Sequence, residues 1–191
     1  MFDPRLGPIV AEHITSELEL DIQDLWDNNY MFCRWLGSLD IHVYSARIFR
    51  SLPNIEYQLH VDVDPEINNN YAAKILDADR QVYEGVVKLN FIQASKGNTM
   101  TWYGLKLGYG PHAQVNTSGY TSWNFKKEDC DVVYHTDCDQ DCLVNGGQIH
   151  TLTNGDNLGS PRMCYSLSVQ NAASTLTWDQ AVQVLTPWLK I

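Results

Sequence analysis

Residues 57–64, which read YQLHVDVD, alternate apolar and polar side chains one by one. This alternation has the two-residue period of a β-strand, in which successive side chains point to opposite faces of a sheet. His60 and Asp62 therefore share the polar face and lie about 7 Å apart along the strand. An imidazole and a carboxylate at this spacing can turn toward one point. We predict that both residues are ligands of a single metal ion.

Short strands are predicted along most of the remaining chain, and turn residues separate them. Two polar stretches, residues 64–80 and 106–124, are predicted to be long loops. Many short strands with regular turns are typical of a β-sandwich or a β-barrel. Besides the metal strand, we predict strands at residues 41–49, 82–93, 99–105 and 162–169.

A helix is predicted at each end of the strand region. Ser16 and Glu19 have the spacing of a capping box, and so have Thr177 and Gln180. Apolar residues follow each pair at helical spacing. The predicted helices cover residues 14–29 and 177–188.

The length of 191 residues is that of one domain. We therefore predict a single domain over residues 1–191, in which residues 41–169 form the β core and the two helices act as buttresses.

Composition excludes several classes of function. The net charge of −10 disfavours binding to the phosphate backbone of nucleic acids. No apolar run approaches the roughly 20 residues of a membrane span, and the first residues lack the basic start and apolar centre of a signal peptide. We therefore expect a cytoplasmic protein without nucleic-acid or membrane partners. Its five cysteines have no regular spacing, so free thiols are expected.

His150 is the third predicted metal ligand. Together with His60 and Asp62 it supplies two imidazoles and one carboxylate, which is the donor set of the facial triad in non-haem Fe(II) oxygenases. A second His-x-Asp, His135 to Asp137, competes with this interpretation. It lies in an acidic stretch without alternation and only fifteen residues before His150, too few for the intervening strands of a barrel. We interpret it as a surface loop.

Arg162 follows His150 by twelve residues and begins the strand predicted at 162–169. Cys164 and Ser166 share its face of that strand. A guanidinium group pairs with a carboxylate through two parallel hydrogen bonds. We predict that Arg162 binds the carboxylate of a ligand in the lumen of the barrel.

In this order, the four residues His60, Asp62, His150 and Arg162 resemble the His-x-Asp…His…Arg pattern of the 2-oxoglutarate/Fe(II)-dependent dioxygenase superfamily. The surrounding sequence is most similar to small aspartyl/asparaginyl-hydroxylase-like members, some of which are carried by bacteria and phages. The resemblance covers residues 45–169. It includes the stretches RSLPNIEYQLHVD, VVKLNF, VNGGQIHTLTN and PRMCYSLS.

The resemblance implies a double-stranded β-helix, also called a jelly roll, of cupin-like form. It also implies Fe(II) on the triad and 2-oxoglutarate as cosubstrate, with the far carboxylate of 2-oxoglutarate on Arg162. Lys88 and Asn90 match positions on the central strand where the family has a basic residue and a histidine, so Asn90 departs from the pattern. Ser166 is expected to assist Arg162 because it shares the same face. The implied reaction consumes O2, releases succinate and CO2, and hydroxylates an amino-acid side chain or a small molecule.

Two alternatives stay open. A metal-binding cupin without redox chemistry needs the triad but has no use for Arg162, and a jelly-roll structural or interaction protein needs neither. Trp102 and Tyr103 are interpreted as core or rim aromatics. The acidic residues between 128 and 141 are typical of a solvated loop. If they border the pocket mouth, they favour a cationic or neutral substrate over a polyanion.

Overall fold

The computed structural model describes residues 15–62, 87–93, 96–110, 112–115, 121–155, 161–174 and 176–188. Within these ranges the chain forms two antiparallel sheets and three α-helices. The strands are β1 (Thr15–Glu19), β2 (His42–Ser51), β3 (Leu59–Val61), β4 (Val87–Gln93), β5 (Thr99–Leu105), β6 (His112–Val115), β7 (Thr121–Phe125), β8 (Cys130–Asp137), β9 (Cys142–Asn145), β10 (His150–Thr153) and β11 (Arg162–Gln170). The helices are α1 (Ile22–Asn28), α2 (Tyr30–Ser38) and α3 (Trp178–Leu185).

The strand order identifies the architecture. The first sheet runs β1-β2-β11-β4-β9, and the second runs β6-β7-β3-β10-β5-β8. From β2 to β5 the chain changes sheet at every strand. It then pairs β5 with β8 in the second sheet and changes sheet again at β9, β10 and β11. Eight strands connected in this way make a jelly roll, so the predicted double-stranded β-helix is confirmed.

The helices cover the outer face of the first sheet. Tyr165, Leu167 and Val169 of β11 point outward into a core that includes Leu36 of α2 and Leu185 of α3. Burying an aliphatic side chain of this size stabilises the fold by about 1.5–3 kcal/mol. Alternation along β11 then sends Arg162, Cys164 and Ser166 to the inner face, as predicted. The inner face is therefore left for the site.

The helix predicted over residues 14–29 is wrong in its first half. Thr15–Glu19 forms strand β1, which pairs with β2 in a continuous antiparallel register. The helix begins only at Ile22, because Asp21 caps it by accepting hydrogen bonds from the N–H groups of Gln23 at 2.7 Å and Asp24 at 3.3 Å. Pairing along the edge of β2 satisfies backbone groups that an isolated first helical turn leaves open. The spacing of Ser16 and Glu19 therefore does not mark a helix start.

The C-terminal helix begins where its capping box predicts. The Thr177 hydroxyl accepts the Gln180 N–H at 3.3 Å, and the Gln180 side chain accepts the Thr177 N–H at 2.9 Å. Helix α3 then runs from Trp178 to Leu185 and a short 3-10 turn continues it to Trp188. The limits predicted for the whole domain, residues 1–191, stay a prediction.

Two predicted loops differ from the structure. The stretch 106–124 contains β6 and most of β7, which pair with each other, and His135 lies on strand β8 rather than in a loop. Strand β8 forms the edge of the second sheet, and residues 131–135 are exposed. A strand without a buried face carries no apolar alternation, so the sequence pattern missed it. The predicted loop at 64–80 lies outside the described residues.

No helix in the described part of the chain has both the length and the apolar character needed to cross a membrane.

Candidate metal centre

Two neighbouring strands bring the predicted histidines together. His60 on β3 and His150 on β10 are directly opposed in the antiparallel register, and opposed residues project from the same face of a sheet. Their ring centroids are 4.5 Å apart. Asp62 follows β3, and its N–H donates to the carbonyl of Gly146 at 2.8 Å. The turn before β10 thereby holds the carboxylate beside both rings.

The three side chains have the separations expected of ligands to one ion. The carboxylate oxygens of Asp62 lie 3.7 Å from Nε2 of His60 and 3.4 Å from Nε2 of His150. All three ligand atoms lie within 4.8 Å of one another. Atoms bound at about 2 Å from one ion and at right angles are roughly 3 Å apart. The group therefore needs only small side-chain movements to hold a divalent cation.

Backbone carbonyls fix which nitrogen of each histidine faces the cluster. Nδ1 of His60 lies 2.8 Å from the carbonyl oxygen of Gln58, and Nδ1 of His150 lies 2.8 Å from that of Gln148. A carbonyl only accepts, so each Nδ1 carries the hydrogen and each Nε2 is the nitrogen that faces the cluster. Metal-binding histidines are typically oriented by such contacts. This arrangement could not be read from the His-x-Asp motif alone.

The charges of the cluster suit a metal ion at neutral pH. Burial and the neighbouring His150 lower the pKa of His60 to about 4, so this ring is neutral. Burial opposes ionisation of Asp62, but the ammonium of Lys88, 2.9 Å away, and His150 hold the pKa of this carboxyl well below its usual range. The cluster thus offers the neutral imidazole of His60, the carboxylate of Asp62 and Nε2 of His150. The chemistry of the donors fits Fe(II) and other divalent ions of the first transition row.

A cavity of about 130 Å³ lies between the sheets at this cluster. Engineered cavities of about 150 Å³ hold benzene, so the space suits a small ligand. All seven predicted site residues line it, namely His60, Asp62, Lys88, Asn90, His150, Arg162 and Ser166. Sequence reasoning missed the contributions of Phe49, Ser51 and Tyr57 to the lining of this cavity. Alternation along β2 places Phe49 and Ser51 on one face and could have indicated this pair.

Arg162 is the most unusual residue of the cavity. Its side chain is only 3% exposed, and its Nε has no hydrogen-bond partner. Among the described residues no carboxylate lies within ion-pair distance of the guanidinium. Asp139 interacts with the guanidinium only as a more distant charge, and its two carboxylate oxygens accept hydrogen bonds from Gly97 and Asn98. A buried cation is costly unless an anion pairs with it, and the described residues supply no such anion at close range.

Two further buried polar atoms line the same cavity without a partner, Oγ of Ser51 and Oδ1 of Asn90. In the sheet, Ser51 is opposite Arg162, and Asn90 is opposite Ser166. Buried polar groups in folded proteins are nearly always hydrogen-bonded. Unpaired atoms gathered on one wall therefore point to a polar ligand. Lys88 lies against Asp62, and its predicted contact with the cosubstrate stays a prediction.

The cysteines near Arg162 do not provide a thiolate that could pair with its guanidinium. Burial raises the pKa of the Cys164 thiol, and burial with neighbouring thiols raises the pKa of Cys142 to about 12. Burial likewise raises the pKa of Cys138 to about 11. All five cysteines are free, as predicted. These three thiols stay protonated at neutral pH and are weak metal ligands.

The competing His-x-Asp lies away from the cluster. Nδ1 of His135 is 2.8 Å from the hydroxyl of Thr101, on an exposed edge strand. In the described part of the chain, His60, Asp62 and His150 form the one group of three or more potential ligands that could hold an ion. The choice between the two motifs made from the sequence is therefore supported by position.

No protein-family model matches this chain, and no curated protein matches it. Among solved structures it is similar to oxalate oxidase in complex with the substrate analogue glycolate, with a TM-score of 0.34 and 13% identity over 97% of this chain and 70% of that chain. A recombinant oxalate oxidase in complex with glycolate gives a TM-score of 0.34 and 11% identity, with 94% and 69% of the two chains covered. The assignment of the jelly roll rests on the strand order of the two sheets.

Proposed function

We propose that the protein is an Fe(II)- and 2-oxoglutarate-dependent dioxygenase that hydroxylates an amino-acid side chain or a small molecule. The observation that carries this proposal is Arg162. A buried guanidinium, for which the described residues offer no carboxylate within ion-pair distance, lies in the same small cavity as a cluster of two histidines and one aspartate. Metal binding alone accounts for the cluster but does not account for the burial of Arg162 in the same cavity.

The charge of the cavity favours a dianion. Lys88 and Arg162 are cationic, Asp62 is ionised, and His60 is neutral at pH 7. The lining residues thus carry an excess of positive charge, which a divalent ion on the triad increases. A dicarboxylate such as 2-oxoglutarate offsets that charge at both ends, because one end meets the metal and the other meets the guanidinium.

The position of each lining residue determines its proposed role in binding iron or 2-oxoglutarate. His60, Asp62 and His150 would hold the iron, and Arg162 would pair with the far carboxylate of 2-oxoglutarate. The hydroxyl of Ser51, which is opposite Arg162 in the sheet, could donate to the same carboxylate. Ser166 and the amide of Asn90 line the cavity four residues further along β11, where they could donate to another part of the cosubstrate. When bound, iron supplies the coupling of two reactions: 2-oxoglutarate and O2 yield succinate and CO2, and the second oxygen atom enters a substrate C–H bond. The walls exclude water from that chemistry.

The test is an anaerobic titration of the metal-free protein with Fe(II) and then with 2-oxoglutarate, followed by visible absorbance. We expect a weak charge-transfer band that requires both additions, because it reports chelation of iron by the keto acid. His60→Ala should abolish the band, while His135→Ala should leave it unchanged. Iron binding without the band would instead favour a cupin without redox chemistry, and no iron binding would favour a structural jelly roll.

A further inference from the structure

A second cavity, of about 420 Å³, opens beside the metal cluster at the free edges of the two sheets. Strands β5, β8 and β9 form its walls, and Trp178 at the start of α3 closes one side. Met100 lines this cavity and the first one, so the two spaces share a wall. Small-molecule sites in proteins are typically about 300–1,000 Å³. The second cavity therefore has the size for a substrate and adjoins the reacting centre.

The register of the second sheet places two aromatic rings in line with the metal ligands. His60 is opposite His150, His150 is opposite Trp102, and Trp102 is opposite Tyr134. Neighbouring strands are about 4.8 Å apart, and opposed side chains share a face. Trp102 thus lies one strand from His150, and Tyr134 lies one strand further. The two aromatic rings are tilted by 38°, with centroids 5.6 Å apart, and form a platform along the cavity.

The chemistry of this cavity is opposite to that of the first. None of the residues that the structure places around it is a lysine, an arginine or a histidine, and its one charged residue is Asp137. Asp137 forms no ion pair with another described residue. Trp102, Tyr134 and Trp178 supply three aromatic rings, and the faces of such rings attract cations electrostatically. Aromatic rings with one carboxylate select an organic cation and disfavour an anion.

The same cavity touches the turn that orients the metal ligands. Asn145 and Gln148 line it. Within this turn, the carbonyl of Gln148 accepts from Nδ1 of His150, and the carbonyl of Gly146 accepts from the N–H of Asp62. A ligand in the second cavity therefore contacts the segment on which two of the three metal ligands depend.

We propose that the second cavity is the substrate subsite and that it takes a small organic cation, with an ammonium or guanidinium group held over Trp102 and Tyr134 in the cavity that Asp137 also lines. This inference rests on the proposed function, since it names the substrate class for that reaction. The acidic residues between 128 and 141 add to the attraction of a cation toward this edge.

The experiment measures binding next to the metal without turnover. Protein loaded with Mn(II) is titrated with benzyltrimethylammonium, and the broadening of the trimethylammonium proton resonance is followed by NMR. Protein loaded with Zn(II) serves as the diamagnetic control. Benzyl alcohol and benzoate are matched neutral and anionic probes. We expect saturable broadening with Mn(II) only, about 5- to 30-fold weaker binding of benzyl alcohol, and no binding of benzoate in this cavity.

Variants identify the cavity as the place of binding. Trp102→Ala and Tyr134→Ala should each raise the Kd of benzyltrimethylammonium by about 5- to 30-fold, and Asp137→Asn should raise it in the same direction. Tyr134 is 58% exposed on an edge strand, so this variant folds even if the loss of Trp102 is not tolerated. Asp131→Asn is the matched control, because Asp131 lies on the same strand but pairs with Lys106 outside the cavity.

Benzoate binding as tightly as the cation while 2-oxoglutarate occupies the first cavity, or a Kd of the cation unchanged in both Trp102→Ala and Tyr134→Ala, would overturn the inference. The dioxygenase assignment and the cation subsite can be refuted separately. If the cation binds beside Mn(II) but Fe(II) and 2-oxoglutarate give no charge-transfer band, the dioxygenase assignment is refuted and the substrate role falls with it. If the band forms and no cation binds, the dioxygenase assignment stands and the cation subsite is refuted.

Discussion

Replacing Arg162 by methionine distinguishes a ligand-binding arginine from a structural one. The side chain is 3% exposed and its Nε has no partner, so the folded protein bears the cost of an incompletely paired buried cation. An unsatisfied buried polar group costs about 1–3 kcal/mol, and apolar replacement of buried ionic groups is often neutral or stabilising by about 1–4 kcal/mol. The variant also loses a contact to the Cys164 thiol and the attraction to Asp139. We therefore expect the free energy of unfolding without ligand to rise by about 1 kcal/mol.

The same substitution should abolish the response to the cosubstrate. At a 2-oxoglutarate concentration of about 100 times its Kd, the parent protein gains about 2.7 kcal/mol of stability. In a protein of this size, 1 kcal/mol changes the melting temperature by roughly 2–4 °C, so we expect an increase of about 5–11 °C. Removing one partner of a buried charge pair costs about 3–5 kcal/mol. The Kd of 2-oxoglutarate should therefore rise by more than about 100-fold in Arg162→Met, and the increase should vanish.

The assay is thermal and urea denaturation of the Zn(II)-loaded proteins with and without 2-oxoglutarate. Arg34→Met is the matched control, because Arg34 is exposed on α2 and far from the described site in sequence and fold. It should change neither the stability nor the response. If Arg162→Met unfolds more easily by over about 1 kcal/mol and keeps the parent response to 2-oxoglutarate, then Arg162 is a structural residue and the reasoning is wrong.

The other predictions concern the ligands, their protonation and the turns beside them. Asp62→Asn should weaken Zn(II) binding by at least about 100-fold in competition with a chromophoric chelator, since even indirect partners of a ligand contribute about 10–100-fold; His135→Ala should bind as the parent does. Because the pKa of His60 is about 4 in the folded protein and 6.5 in its ordinary state, the unfolded chain takes up this proton first. The free energy of unfolding of the metal-free protein, measured by urea denaturation, should then fall by about 1–3 kcal/mol between pH 6.5 and pH 4. An equally steep fall with pH in His60→Gln would contradict this. Gly155→Ala should destabilise the fold by about 1–3 kcal/mol or more, because its Cβ would collide with backbone atoms of the turn at residues 96–97. Gly37→Ala, whose Cβ meets nothing within 4 Å in helix α2, should instead add about 0.5–1 kcal/mol.

The two-residue period of the sequence predicted the parts of the site that lie on one strand. Alternation placed His60 with Asp62, and Arg162 with Ser166, on inner faces, and the structure has them there. Each of these pairs depends only on local backbone geometry, which a single strand determines. The resemblance to a known family added the connection between the two pairs.

The register between strands cannot be predicted from local sequence. This explains why the sequence did not predict the residues of the second cavity or strand β1. Trp102 was interpreted as a core or rim aromatic, because nothing within residues 99–105 indicates that it is opposite His150, 48 positions away. Tyr134 lies on an edge strand with no buried face, where periodicity carries no signal. The local capping pattern at Ser16 and Glu19 predicts a helix for a related reason, since it carries no information on the pairing of β1 with β2 that overrides it.

The position of His150 on β10 explains how one ion can serve two ligands of opposite charge. Strand β10 lies between β3 and β5 in the second sheet, so Asp62, which follows β3, is on one side of His150 and Trp102 is on the other. At an effective dielectric constant of about 20, two unit charges 5 Å apart interact by about 3 kcal/mol. An anion in the second cavity would meet a carboxylate and no cation, and a cation in the first would meet Arg162, Lys88 and the ion. If the second cavity takes a cation as we propose, electrostatic repulsion disfavours each ligand in the other ligand's cavity by several kcal/mol. Charge alone then determines which ligand binds in which cavity, without a contribution from shape.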